Sequence, residues 1–248
     1  MSTPPAMATI ALRELGAIAS IADDLPASSY DRPTALGGWT VEHLVRHVTA
    51  VALRQAEAFH RARFTVTEAP TDATVTCPTE RLPTTLRSVL AHTTSGVTSL
   101  DPDGEPIVPL PYASLPASLA GYVLLVEYGV HRYDLEHAIT GDGALADDVA
   151  DAVADRLALT LPSLASPDEP PIRTIRLEPS GHAATTLTWH AGHWETIDNP
   201  PQADCVVRGP ADALGLFVVG RITATDDRLG VEDPRGALTH FKAMFPGP

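Results

Sequence analysis

Apolar residues recur at helical spacing through the first two-thirds of the chain, and at a period nearer two through the last third. Ile10, Leu12, Leu15, Ile18 and Ile21 predict a helix over about 7–24, stopped by Pro26. After a loop holding Pro33 and two glycines, Thr40 is placed to cap a second helix that runs to about Arg63. Glu42 and His43 fill its first turn, and Trp39 is set to pack on Leu44. Val41, Leu44, Val45, Val48, Val51, Ala52 and Phe59 form one apolar stripe along it. His47 lies at the edge of that stripe and His43 one step further round, so His47 is expected to point inward and His43 to solvent. A Thr- and Pro-rich loop over 66–83 leads to a weaker helical pattern over 82–100. Residues 101–111 contain four prolines and predict irregular chain. The apolar run 115–139 predicts a buried helix ended by Gly141 and Gly143, and 147–164 a fifth helical stretch.

The pattern changes at the proline-rich segment 166–171, which reads as a linker. Beyond it, 172–177, 184–190, 193–197 and 203–208 alternate as strands, with Ala191-Gly192 as a tight turn. Pro210 opens a helix to about Val219, 229–232 reads as a last strand and 236–245 as a last helix. The expected fold class is α+β. A helical bundle occupies residues 1–165 and a small α+β domain residues 172–248.

Composition narrows the function. The chain has 248 residues, 44% of them hydrophobic, enough for two modest cores. Its net charge of −14, with no run of lysines or arginines, makes nucleic acid and anionic membranes poor partners. Two distant cysteines, Cys77 and Cys205, are neither a disulfide framework nor a zinc ribbon. The first residues lack a basic segment followed by an apolar one, so no signal peptide is expected. Glu127 and His131 interrupt the longest apolar run, so no membrane span is expected, and the reading is a cytoplasmic protein.

The candidate chemistry sits in that interrupted run. Glu127, His131 and Asp134 follow one another at intervals of four and three, within one narrow sector of a helix. Buried without partners they would cost several kcal/mol, on the order of 2–7 for each polar group. In a bundle, His47 on the second helix can converge with Glu127 and His131 on the fourth. Two imidazoles and a carboxylate suit zinc and other divalent ions, and three protein ligands leave a coordination position for water or substrate. Spacing alone leaves a second reading open, in which His47 bonds local backbone and Glu127–His131 is an i,i+4 pair. Asp134 is open between orienting an imidazole and pairing with Arg132 or another arginine. His137, about 60° round the helix from Asp134, is placed to line the same space. His60, His92, His182, His190, His193 and His240 show no partner in the sequence. There is no dinucleotide or P-loop glycine motif, no serine-hydrolase elbow, and no cation beside Cys77.

The stretch Trp39-Thr40-Val41-Glu42-His43-Leu44-Val45-Arg46-His47 resembles the W-[ST]-V-x-x-L-x-x-H block of the mycothiol-dependent maleylpyruvate isomerase family. Glu127-Tyr-Gly-Val-His131-Arg-Tyr-Asp134 resembles that family's E-x-x-x-H-x-x-D block. The segment from Ala203 to Leu214 and the pair Gly220-Arg221 resemble its second domain. The resemblance implies a DinB-like up-down four-helix bundle, with one extra helix, followed by the small α+β domain. It implies His47, Glu127 and His131 as metal ligands and Arg221 as the group that holds a substrate carboxylate. It implies a divalent metal, zinc being the expected ion, and mycothiol as cosubstrate. The implied activity is an isomerase or S-transferase acting on a small electrophilic metabolite through a metal-bound thiolate. Two alternatives stand beside it. One is a metal-dependent hydrolase or lyase that uses metal-bound hydroxide without a thiol; the other is a non-catalytic binding module. Expected partners are a small-molecule substrate and a low-molecular-weight thiol, with the chain a monomer or homodimer.

Overall fold

The computed structural model describes residues 4–101, 104–197 and 202–246. Residues 1–3, 102–103, 198–201 and 247–248 of the two expected spans lie outside the described residues. The protein is α+β, as its periodicities predict, and forms two compact units, Met1–Ala144 and Leu145–Pro248.

The first unit holds four long helices: α1 (Pro4–Asp24), α2 (Val41–Arg63), α3 (Leu82–Thr98) and α4 (Ala117–Thr140). In the bundle, α1 packs on α4 and α3, and α2 packs on α3 and α4. Each helix faces the core with the residues its stripe predicts, Leu15 and Ile18 from α1, Leu44 and Phe59 from α2, Leu86 from α3 and Leu124 and Tyr128 from α4. α4 is buried around most of its circumference, and Gly121 admits the backbone of α1: a Cβ there would stand 3.3 Å from the Ala8 nitrogen. α4 ends where Gly141 enters the left-handed region at φ 77° and its N–H bonds the His137 carbonyl at 2.9 Å.

One element differs from the sequence expectation. The proline-rich stretch before α4 is a hairpin of β1 (Ile107–Leu110) and β2 (Ala113–Pro116), not irregular chain. Proline is tolerated in a two-stranded ladder because each strand is an edge. Val108 and Leu110 bury their side chains completely or nearly so, and β1 packs against α2 and α4. Its turn residue Tyr112 is largely exposed.

The second unit begins earlier than the 166–171 linker composition predicts. The expected fifth helix is two, α5 (Asp147–Ala154) and α6 (Leu157–Ser163), and both belong to this unit. α5 packs on a later helix, α7 (Ala211–Val218), whose Gly215 would bring a Cβ to 3.2 Å from Leu145. The remaining elements are β3 (Thr174–Pro179), β4 (Thr185–His190), β5 (His193–Thr196), β6 (Cys205–Gly209), β7 (Gly230–Glu232) and the single turn α8 (Phe241–Met244). Their sheet has the order β5-β4-β3-β6-β7, with β3 and β6 parallel and the other pairs antiparallel. Ala191 and Gly192 join β4 to β5 with φ of 49° and 89°, the paired positive angles of the tight hairpin turn. Trp189, Trp194, Phe241 and Phe245 fill the core beneath this hairpin.

His182 is clamped on α5. Its Nδ1 meets Asp155 at 2.9 Å and its Nε2 meets Asp151 at 3.1 Å. Both carboxylates can only accept, which favours the doubly protonated ring, and the bond to Asp155 leads in raising the imidazole pKa. A raised folded-state value stabilises fully below the unfolded value of about 6.5 and is lost as pH climbs through the folded value. The melting-temperature difference between wild type and His182→Gln should therefore shrink as pH rises above the unfolded value of about 6.5. Thermal melts across that range check it.

Among the described residues no helix is long and apolar enough to cross a membrane.

Candidate metal centre

α2 starts where the sequence places its cap. The Thr40 side chain accepts from the His43 N–H at 3.4 Å, and the Thr40 N–H donates to His43 Nδ1 at 3.2 Å. His43 is exposed, as expected, yet it closes the capping box in the position usually held by Glu or Gln. Trp39 tilts against the His47 ring, with centroids 4.9 Å apart. This cap fixes the phase of α2, and the phase turns His47, two turns in, toward α4.

α4 presents Glu127 and His131 one turn apart. His47 Nε2 lies 3.2 Å from Glu127 Oε1, and His131 Nε2 lies 3.4 Å from the same oxygen. The two imidazole rings stand edge to face with centroids 5.0 Å apart. The three donor atoms all lie within 4.8 Å of one another, and they are the one such set among the described residues. Bonds of about 2.0–2.1 Å to a tetrahedral zinc place two ligand atoms ~3.3 Å apart, so each imidazole already stands at ligand spacing from the Glu127 oxygen. Side-chain exposure falls from 36% at His47 through 18% at Glu127 to 10% at His131, so the set opens on the His47 side.

Behind it, the carboxylate of Asp134, with no side-chain exposure, bonds His131 Nδ1 at 2.9 Å. Between the two readings of Asp134, the geometry favours the imidazole partner. Arg132, its alternative partner, donates to Glu136 at 2.8 Å and to Glu14 at 3.1 Å. With Nδ1–H committed to Asp134, Nε2 is the lone-pair nitrogen left to a metal, the arrangement that carboxylate–histidine pairs give to metal ligands. His137 instead stacks on Tyr133, 5.6 Å between centroids.

The electrostatics describe the same trio with protons in place of an ion. Burial pushes Glu127 up, but hydrogen bonds from His131 and His47, with their charges, hold it far below the carboxylate range. Burial pulls His131 down, and its bonds to Asp134 and Glu127 outweigh that and raise it to about 9. An ion must displace that proton. Metal uptake should release about one proton, and apparent affinity should tighten by up to tenfold per pH unit until about pH 9, then level. Zinc titrations in weakly and strongly protonating buffers over that range check both effects.

Three neighbours carry no spacing signal in the sequence. Tyr128 donates to Gln55 at 2.5 Å, fully buried beside Glu127, and its phenol is raised well above 10 by burial and by that carboxylate's charge. Tyr112, at the hairpin turn, is 61% exposed, yet its phenol is pushed up by partial desolvation and then by the Glu127 charge. Arg54 acts on the same phenol with the opposite sign. A tyrosine beside a buried carboxylate has no sequence signature, and Tyr112 was hidden in a stretch that reads as loop. Arg221, of the second unit, donates from Nη1 to the Val219 carbonyl at 3.0 Å. Asp226, five residues on, accepts from Arg228 Nε at 2.9 Å.

A sequence model of the mycothiol maleylpyruvate isomerase N-terminal domain matches residues 11–136, half the chain and all three candidate ligands. The chain belongs to that family. Two solved structures share the maleylpyruvate isomerase fold over nearly its whole length. One is the mycothiol-dependent maleylpyruvate isomerase, with a TM-score of 0.67, 16% identity, and coverage of 94% of this chain and 96% of that one. The other is a histidine-to-alanine mutant of a mycothiol-dependent maleylpyruvate isomerase, with a TM-score of 0.68 and the same identity and coverage. No curated protein matches the sequence significantly. Within the maleylpyruvate isomerase family block, the matched span begins in α1 and ends on α4 just after Asp134.

Proposed function

We propose that the protein is a divalent-metal, mycothiol-dependent isomerase or S-transferase acting on a small electrophilic metabolite. The observation that carries this reading is the convergence of donor atoms of His47, His131 and Glu127 within 4.8 Å of one another, with Asp134 holding His131 from behind. The donor set of two imidazoles and one carboxylate suits zinc, and it leaves one coordination position for an exogenous ligand. A divalent ion held there would supply the charge that favours the thiolate form of a thiol near neutral pH.

His47, Glu127 and His131 hold the ion in this reading. Asp134 fixes the His131 tautomer, and the buried Tyr128–Gln55 bond keeps α4 in phase with α2 behind Glu127. The thiol sulfur adds to a carbon conjugated with a carbonyl, and the electron pair of the double bond moves toward that carbonyl. The former double bond is then single and rotates, and expulsion of the sulfur returns the alkene in its other geometry. Loss of a different leaving group instead retains the sulfur on the product, which is S-transfer. Arg221 is assigned to a substrate carboxylate through paired hydrogen bonds, by its match to the family's second domain.

The test is turnover of a cis-configured unsaturated keto acid with and without mycothiol, before and after EDTA dialysis. The reading predicts activity that needs both thiol and metal and that returns with added zinc. Full activity after dialysis overturns it, and turnover without thiol assigns the site to metal-dependent hydrolysis or elimination.

A further inference from the structure

The two candidate imidazole ligands are held by different means. Asp134 fixes His131 from behind, through Nδ1. His47 has no such partner. Its hydrogen bond among the described residues is the Nε2 contact with Glu127, which an ion between the two would replace. Its ring has two aromatic neighbours, His131 at 5.0 Å between centroids and Trp39 at 4.9 Å, tilted by 59°. Of the two, Trp39 is the one that is not itself a candidate ligand. It stands just before the Thr40 cap, where the sequence sets it to pack on Leu44. Leu44 and His47 are three residues apart and share a face of α2, and the indole is large enough to extend along that face. Its mount is firm. The Trp39 N–H donates to the Leu36 carbonyl at 2.9 Å, and its own carbonyl accepts from the Thr34 N–H at 2.8 Å and the Thr34 hydroxyl at 3.1 Å. The same loop ties down the start of α2, with the Val41 N–H on the Arg32 carbonyl and the Glu42 N–H on the Tyr30 carbonyl, both at 2.9 Å. Loop and helix therefore act as one piece, and the indole keeps its place relative to His47.

We infer that Trp39 is a positioning residue of the metal centre, whose ring holds the His47 imidazole in its ligating orientation as Asp134 does for His131. This rests on the ligand set of the proposed function, though not on its thiol chemistry. A side chain that is 36% exposed, with no bond at Nδ1, has rotamers to lose when it takes up an ion. A ring already set against it has removed them beforehand, and the ion binds more tightly for it. The means differ because the places differ. His131 is 10% exposed, and a carboxylate–imidazole bond is strong out of water. His47 is on the open side, where water competes for a polar partner and a flat aromatic surface needs none.

The experiment measures the zinc affinity and the cobalt(II) spectrum of the full-length wild type, Trp39→Phe and Trp39→Leu, with thermal melts of the metal-free proteins. Leucine keeps an apolar group over the first turn but loses the flat ring, and phenylalanine keeps a ring. The inference predicts that Trp39→Leu binds zinc about three- to tenfold more weakly, and that Trp39→Phe stays within about twofold of wild type. The two metal-free variants melt together, so the difference between them is not one of fold. The visible bands of bound cobalt, which report ligand geometry, change in Trp39→Leu and return in Trp39→Phe. Zinc affinity and a cobalt spectrum equal to wild type in Trp39→Leu overturn the inference, as does a loss that Trp39→Phe shares in full. A Trp39→Leu protein that keeps its zinc affinity and loses only mycothiol affinity overturns it too, because the indole is then a wall of the thiol site. A wild-type protein that binds zinc but no mycothiol, with the Trp39 differences intact, overturns the proposed function and leaves this inference standing.

Discussion

His47→Ala is expected to abolish tight divalent-ion binding and any thiol-dependent turnover while leaving the fold intact. His47 supplies the one candidate ligand from α2, so its loss leaves Glu127 and His131, two adjacent groups on a single helix. Two ligands one turn apart do not enclose a tetrahedral ion. The side chain is 36% exposed and contributes a tilted contact with Trp39 and one of two bonds to Glu127, which keeps His131, so the cost to stability should be on the order of 1–2 kcal/mol. His43→Ala is the control. It removes half of the capping box, which costs roughly 0.5–1 kcal/mol and should leave metal content unchanged. Elemental analysis and thermal denaturation of the two variants side by side separate the effects. A His43 variant that loses metal while the His47 variant keeps it would contradict the assignment of faces on α2.

The second large effect is expected at Asp134, which touches no ion in this account. Asp134→Asn keeps the shape of the side chain but removes its charge and half of its accepting capacity toward His131 Nδ1–H. Second-layer partners of this kind commonly govern metal affinity by 10–100-fold, and a loss of about that size is predicted here. The same substitution removes the first-named support for the raised His131 pKa, so the proton released on metal uptake should diminish. Stability of the metal-free protein gives an independent check. A histidine held at about 9 stabilises fully below the unfolded value of about 6.5 and loses that contribution as pH rises through about 9. The destabilisation caused by Asp134→Asn should follow that window and fade above it. An effect that is constant from about pH 6 to about pH 9 would mean that Asp134 acts through packing alone.

What the sequence discloses about this site is set by where the information lies along one helix. Glu127, His131 and Asp134 share an element, so 3.6-residue periodicity alone places them on a stripe. His47 was reachable because an amphipathic helix with a Thr cap has a readable phase, and its stripe separates His47 from His43. Periodicity does not specify which helices are neighbours, and that is what brings His47 to Glu127. The family block, not the spacing, carried that step. The hairpin of β1 and β2 was illegible because its prolines mask a short edge ladder, and with it went Tyr112. In the second unit, the β4–β5 hairpin followed from Ala191-Gly192 and its flanking alternation. The break at Leu145 did not follow from composition, because the contact between Gly215 and α5 decides it.

The central claim is that a thiol occupies the open position of an ion held by His47, Glu127 and His131. Cobalt(II)-loaded protein titrated with mycothiol tests it most directly, because a thiolate bonded to cobalt adds a charge-transfer band in the near ultraviolet. The account predicts that this band grows to saturation at about one thiol per cobalt, and that it is absent from His47→Ala. Cobalt bound by the wild-type protein with a spectrum that mycothiol leaves unchanged would contradict the account.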